Sequence, residues 1–369
     1  MKRKLIYLVA IILFCSCKQN ENVKPAFNNL YSISDIVSKK QSNLIFQNSN
    51  VFPNNTQLSI AIIENGKIKF IGIKRENDTI SKTENYKNVF EIGSLTKIFT
   101  STILSNFVVN GKLKLDDKIN DYIKVNLNNN TKISFKQLAN HTSGLPKMPT
   151  NLEFSDKLNK FKDYDNLKLE EYLQNHLKLS FNPGEQNSYS NIGVGILGYT
   201  LSAISNESYS ELLNKYIFSK YGMNNTSVNR KDVEKNLIKG LNTRGNETSN
   251  WELASLTPAG GILSSVEDLS KFSIAQFDPL NTDLKLTQQK TFKINKDTDQ
   301  GLAWRIENNS ESKLYCHNGR TGGYTSSICL DLKNKNGVII LSNISTLGNQ
   351  NKKFIINLCS DLLLTLKKK

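Results

Sequence analysis

Cysteine is scarce and histidine scarcer in this 369-residue chain, which holds five of the first and three of the second. Cys15 and Cys17 belong to the leader, so the body keeps only Cys316, Cys329 and Cys359. An odd number of thiols is not a disulfide framework. Cys316 and Cys329 fall where neighbouring strands would set them opposite each other, and either one bridge or two buried thiols fits that placement. His141, His176 and His317 offer no spacing that puts two on one helical face, and no carboxylate cluster accompanies them. Neither a metal site nor a cofactor is therefore expected. His141 reads as a structural residue of the loop Asn140–Pro146, and His176 as a solvated surface residue. No repeat period is present, nor a zinc finger, an aromatic RNA-binding signature or a heptad-backed basic region. Nucleic acid is thus not the expected partner, although the net charge is +15 and the pI about 9.4. The lysines are scattered among asparagines along the chain, as a general Lys/Asn bias would scatter them.

One apolar run stands out at the start. Met1-Lys2-Arg3-Lys4 is a basic n-region and Leu5 to Phe14 an apolar h-region too short for a comfortable membrane span. It ends in Phe14-Cys15-Ser16-Cys17, which resembles a bacterial lipobox with Cys17 as the lipid-modified residue. Ser16 fits that processing and the bulky Phe14 fits it loosely; an ordinary cleaved signal peptide is the alternative. Either way an exported protein is expected, at the cell envelope and held to a membrane if Cys17 carries lipid.

A hydrophobic fraction of 38% fits a folded protein of this length, which divides into two lobes. Residues 18–45 read as a tether and the start of a first helix, placed near Tyr31 to Val37. Leu58–Ile63 and Ile68–Ile73 flank Asn65-Gly66, a strong hairpin signal. Helical periodicity and loops follow Ser94, including Ser134–Asn140, Leu197–Phe218 and a helix opened at Ser264–Leu269. From about Gln300 strands return, at Gly301–Arg305, Lys313–His317, Tyr324–Leu332 and Val338–Ile344, the last two joined across Asn336-Gly337. The expected class is α/β in the α+β sense: an antiparallel sheet from both chain ends (46–93 and 290–369), flanked by helices, with a mostly helical lobe (94–289) inserted. A cleft between the lobes would then place Ser94 at its junction.

Ser94-Leu95-Thr96-Lys97 follows a strand-like segment and opens the apolar helix Ile98–Leu104. A serine hydroxyl needs a base within reach to act as a nucleophile. Lys97, three residues on, would present its amine from the same helical face. The helix start also offers free N–H groups to a developing oxyanion. The same pattern recurs at Ser310-Glu311-Ser312-Lys313, a polar stretch with no apolar helix after it, which reads as surface loop. Tyr189-Ser190-Asn191 follows the turn Asn182-Pro183-Gly184. In an extended segment its phenol and amide would reach one cleft together. His317-Asn318-Gly319, followed by Arg320-Thr321-Gly322-Gly323, would face the cleft from an edge strand, with Gly319 admitting close approach of a bound acyl group.

In that order the motifs S-x-x-K, Y-x-N and H-x-G resemble the serine β-lactamase and penicillin-binding-protein superfamily, in its class C β-lactamase-related branch. The likeness covers roughly residues 46–369 and extends to Asn140–Pro146, Pro183-Gly184 and Pro258–Ser265. It implies a β-lactamase/transpeptidase-like fold, with Ser94 as the acylated nucleophile and Lys97 as base or proton relay. Tyr189 would be the second proton-transfer group, helped toward phenolate by the Lys97 ammonium; local electrostatics worth about 4 kcal/mol are needed for that at neutral pH. Asn191 would hold Lys97 and the substrate amide. The backbone N–H groups of Ser94 and Arg320 would form the oxyanion hole. His317 takes a position that holds lysine in the family's β-lactamases and would contact a substrate carboxylate or the tyrosine. The histidine form resembles DD-peptidases and D-peptidases more than dedicated β-lactamases, so a penicillin-binding carboxypeptidase acting on peptidoglycan-type D-amino-acid peptides is expected. A β-lactamase, an esterase and an inactive scaffold binding cell-wall peptide are the alternatives.

Overall fold

The computed structural model describes residues 24–366 apart from 31–32, 34, 154–155, 157–158, 309–311 and 349–351. The leader with Cys17, and Ser310 and Glu311 of the second S-x-x-K copy, lie outside the described residues. A ten-stranded sheet forms the base of the molecule. Its early strands are β1 (Phe27–Asn29), β2 (Gln57–Glu64), β3 (Lys67–Glu76) and β4 (Thr79–Thr83). A separate pair joins β5 (Phe90–Glu91) to β6 (Leu263–Ser264). The late strands are β7 (Phe292–Lys293), β8 (Thr298–Gln300), β9 (Arg305–Asn308), β10 (Lys313–Arg320), β11 (Thr325–Asp331) and β12 (Asn336–Ser342). Their spatial order, β1-β4-β3-β2-β12-β11-β10-β9-β8-β7, splices the late strands onto β2. All the pairs are antiparallel except β1 with β4, which is parallel. The sheet is therefore mixed at that edge, where an antiparallel sheet was expected.

Period-two alternation explains why both faces are covered. Ile60, Ile62, Val338 and Ile340 enter one apolar cluster, with Ile45 of α1 (Lys39–Ser49) and Leu358 of the helix Lys352–Leu364. Ala61, Ile63, Ile339 and Leu341 enter the other, which continues through the helical lobe inserted between β5 and β7. Cys316 and Cys329 are register partners across β10 and β11 and are joined by a disulfide. Cys359 is a buried free thiol.

Three local expectations shift. The first described α-helix begins at Lys39, where Ser38 supplies a cap in a reciprocal box with Gln41; Tyr31, Ser32 and Ser34 of the expected helix lie outside the described residues. The connection before β12 turns at 332–335, with Lys335 in the left-handed region at φ 52°. Asn336 already belongs to the strand, and its side chain accepts the Asn65 N–H at 2.9 Å. Finally, Gly301–Trp304 is not a strand. Ala303 has φ 64°, Leu302 and Trp304 are buried, and Ala303 N donates to Ala139 O at 3.0 Å. The segment plugs into the helical lobe instead of pairing in the sheet.

Two helices carry the site: α2 (Thr96–Val109), and Asn191–Ser205, which is packed against the short helix Thr257–Gly260. Gly198 makes that packing possible, since a Cβ there would collide with the Pro258 ring. Gly198→Ala is therefore expected to lower unfolding free energy by about 1–3 kcal/mol in urea titration. A loss below about 0.5 kcal/mol would show that the helices re-seat freely.

Candidate active site

Ser94 sits in a single 3₁₀ turn, Gly93–Leu95, that links β5 to α2. Ile92 fixes this turn from both sides: its N–H donates to Ile262 O at 3.0 Å, and its carbonyl accepts the Ser326 hydroxyl at 2.7 Å. Gly93 adopts φ 51° with its backbone against Arg320, where a Cβ would lie 2.7 Å from the Arg320 nitrogen. Gly319 packs on the Ile92 carbonyl, with no room for a Cβ. Its glycine thus serves contact between β10 and the nucleophile turn. β9 pairs only with Lys313–Cys316, so among the described residues β10 becomes an open edge from His317 onward. That edge brings Arg320 beside Ser94.

Lys97, one helical turn on, is fully buried. Its Nζ lies 3.2 Å from Ser94 Oγ, 2.9 Å from Asn191 Oδ1 and 2.5 Å from the Ala259 carbonyl. Burial pushes the amine well below its ordinary pKa, and the charge of Lys147 acts in the same direction. In its neutral form such an amine has two N–H bonds, for Asn191 and Ala259, and a lone pair for the Ser94 hydroxyl. The Asn191 amide is oriented by its Nδ2, which donates to Met148 Sδ at 3.3 Å.

Tyr189 approaches Ser94 from the other side, and its hydroxyl donates to Oγ at 2.5 Å. Ser190 is the extended N-cap of the Asn191–Ser205 helix. The phenol therefore projects from the loop and the amide from the first helical residue, both onto the Lys97 amine. Although 37% of Tyr189 faces solvent, burial pushes its phenol up to about 12, against the opposing pull of the Ser94 hydrogen bond and the Arg320 charge. Burial thus acts against the expected drift toward phenolate, raising the phenol and lowering the amine.

His317 donates from Nδ1 to the Asn318 carbonyl at 3.0 Å, in the tautomer that contact requires. Burial, reinforced by Lys97, pushes it down to about 3, so it offers a substrate carboxylate no charge. The cleft wall holds Met148, Phe161, Trp251, Leu253 and Leu256; among the described residues Arg320 is the one charged side chain lining it, and no carboxylate does. Phe161 and Trp251 meet edge to face at 5.1 Å. His176 lies on the surface, 42% exposed and 3.5 Å from Glu171.

Three contributors escape a sequence reading. The Ala259 carbonyl is a backbone acceptor, which leaves no mark on side-chain pattern beyond the run Pro258-Ala259-Gly260-Gly261. Glu91 is buried and accepts the Asn250 amide at 2.7 Å and the Trp251 N–H at 3.0 Å, fixing the indole at the cleft wall. Burial pushes this carboxyl up. His141, read as a loop residue, stacks its ring 4.6 Å from the Tyr189 ring.

Comparison with known proteins now places this geometry. A family model described as Beta-lactamase matches residues 56–355. Protein flp of Staphylococcus aureus (strain NCTC 8325 / PS 47) is 26% identical over 308 residues, which cover 78% of this chain and 59% of that protein; this chain thus spans under two thirds of that relative. A beta-lactamase of Pseudomonas fluorescens is 28% identical over 260 residues, 68% of this chain and 69% of the relative. Among solved structures, a beta-lactamase/D-alanine carboxypeptidase from Pseudomonas syringae superposes with TM-score 0.74 at 23% identity, over 91% of this chain and 99% of that one. The octameric penicillin-binding protein homologue from Pyrococcus abyssi gives 0.75 at 24%, over 89% and 77%. At those identities the structural likeness speaks to fold alone, and the fold is that of β-lactamases and transpeptidases. The family match covers most of the chain, from before the nucleophile turn to beyond β12, and on it the chain belongs to the Beta-lactamase family.

Proposed function

We propose that the protein is a penicillin-binding carboxypeptidase or D-peptidase that works through an acyl-enzyme at Ser94. The observation that carries this reading is the double contact of Ser94 Oγ, 3.2 Å from the Lys97 amine and 2.5 Å from the Tyr189 hydroxyl. Lys97 takes the hydroxyl proton as Oγ attacks the carbonyl carbon, and the N–H groups of Ser94 and Arg320 hold the oxyanion. As the C–N bond breaks, Tyr189 gives its proton to the leaving nitrogen and recovers one from the Lys97 ammonium. Among the described residues no carboxylate lines the cleft, so the same pair activates water for deacylation. Asn191 holds the amine and the substrate amide. With His317 neutral, a terminal carboxylate is read by Arg320. In the same proposal the protein is exported and held to a membrane through Cys17. One observation favours a second reading as an esterase: the apolar wall beside Ser94 suits a hydrocarbon acyl group.

Intact mass measurement over time with penicillin is expected to show one adduct that persists and is absent from Ser94→Ala. An adduct on the alanine variant would remove Ser94 from its role, and rapid loss of the wild-type adduct would mean a β-lactamase. The proton assignment predicts a leaving-group effect. Tyr189→Phe should lower turnover of a D-alanyl-D-alanine peptide about a hundredfold and a nitrophenyl ester less than about tenfold, because nitrophenolate leaves unprotonated. Lys97→Ala should cost about a thousandfold or more on both; equal losses in the tyrosine variant would make tyrosine the base. Acylation should rise as pH climbs through the depressed pKa of Lys97 and stay flat to about pH 10, because the phenol titrates only near 12. Cys17→Ser should move the protein from the membrane fraction to the soluble one; retention in the membrane would overturn the anchor.

A further inference from the structure

We infer that His141 is a positioning residue for proton donation, a clamp that sets the Tyr189 hydroxyl against Ser94. The inference rests on the reading of Tyr189 as the proton donor. Residues on either side of Tyr189 are tied to the loop that His141 occupies. Asn187 Nδ2 donates to Asn140 O at 2.8 Å, and Ser188 N to His141 O at 2.8 Å. Ser190 N donates to His141 Nδ1 at 3.3 Å, while the Ser190 hydroxyl reaches Pro146 O at 2.7 Å. Between these ties the imidazole lies 4.6 Å from the phenol ring, the planes inclined at 42°.

The residue type follows from three demands at once. His141 has φ 62°, a left-handed conformation that asparagine or glycine adopts more readily. Asparagine, however, has no ring to lay on Tyr189. Phenylalanine has the ring but cannot accept the Ser190 N–H. Only an imidazole gives both an aromatic face and an in-plane acceptor at this place. Accepting through Nδ1 leaves the proton on Nε2, which is buried with no partner among the described residues. Burial pushes the ring well below its ordinary pKa, toward the neutral form that an acceptor at Nδ1 must have.

The test is a mutant cycle read on two substrates, a D-alanyl-D-alanine peptide and a nitrophenyl ester, in the full-length protein. His141→Asn keeps the left-handed backbone and removes the ring. It should lower kcat on the peptide about 10–30-fold with KM within about twofold, and change ester turnover less than about threefold. In the Tyr189→Phe background the same change should cost less than about twofold more, because the clamp acts only through the phenol. Equal loss on both substrates, or full additivity with Tyr189→Phe, overturns the inference. If Tyr189→Phe itself leaves peptide turnover intact, the donor reading fails first and the clamp with it. Should His141→Asn not fold, ¹⁵N imidazole spectra of the wild-type protein decide. The Nε2–H tautomer is expected from about pH 6 to 8, and an Nδ1–H tautomer or an imidazolium overturns the assignment.

Discussion

The site depends on one lysine amine buried without a counter-ion. Desolvation makes the Lys97 ammonium costly, and a carboxylate beside it would remove that cost by stabilising the charge. The protein instead surrounds Nζ with neutral acceptors, the Asn191 amide and the Ala259 carbonyl. A carboxylate in either place would return the ammonium and leave Ser94 without a base. The same requirement reaches outward: burial pushes His317 and His141 toward their uncharged forms, and among the described residues no carboxylate lines the cleft. What looks like an assortment of polar residues is a cage from which negative charge is excluded.

Holding that cage together is a problem of close backbone approach, which glycine solves. Gly198 lets the Asn191 helix rest on Pro258 and so delivers Ala259 to Lys97. Gly93 and Gly319 let β10 press on the nucleophile turn, fixing the Arg320 backbone beside Ser94. Each contact joins segments far apart in sequence, and each side chain larger than hydrogen would separate two parts of the site. Stability of the two lobes and geometry of the reaction are therefore the same packing constraint. The strained turn at His141 belongs to it as well, because the loop that adopts φ 62° is the one that fixes Tyr189.

What the sequence made legible was whatever local chemistry encodes. Asn65-Gly66 marked the β2–β3 hairpin because few residues accept a left-handed turn, and Ser94 with Lys97 was visible because i and i+3 share a helical face. The order of the motifs suggested the family before any contact was known. Three features stayed hidden for physical reasons. Gly301–Trp304 has strand-like composition, but its apolar residues answer to a distant helical core, and no local pattern reports that. The Ala259 carbonyl acts through the backbone, whose chemistry every residue shares. His141 has a role only through a tyrosine many residues away, and its neighbours in sequence describe a turn and nothing more. The direction of proton flow was hidden too. A lysine beside a tyrosine suggests ammonium and phenolate in water, and burial pushes both groups the other way.

That reversal also accounts for the separation of catalysis from recognition. A lysine at position 317 would set a second ammonium against the Lys97 cage; it would either lose its own proton or drive that of Lys97 lower still. Histidine avoids the conflict by remaining neutral, at the expense of any charge to offer an anion. The cation that reads a carboxylate is then required elsewhere, near enough to reach the substrate and away from the buried amine. In the proposed reading that cation is Arg320, which lines the cleft at the open edge of β10 while its backbone stays pressed on Gly93. One residue would then couple the position of a bound anion to that of the nucleophile turn, through a strand edge rather than through any side chain of the cage.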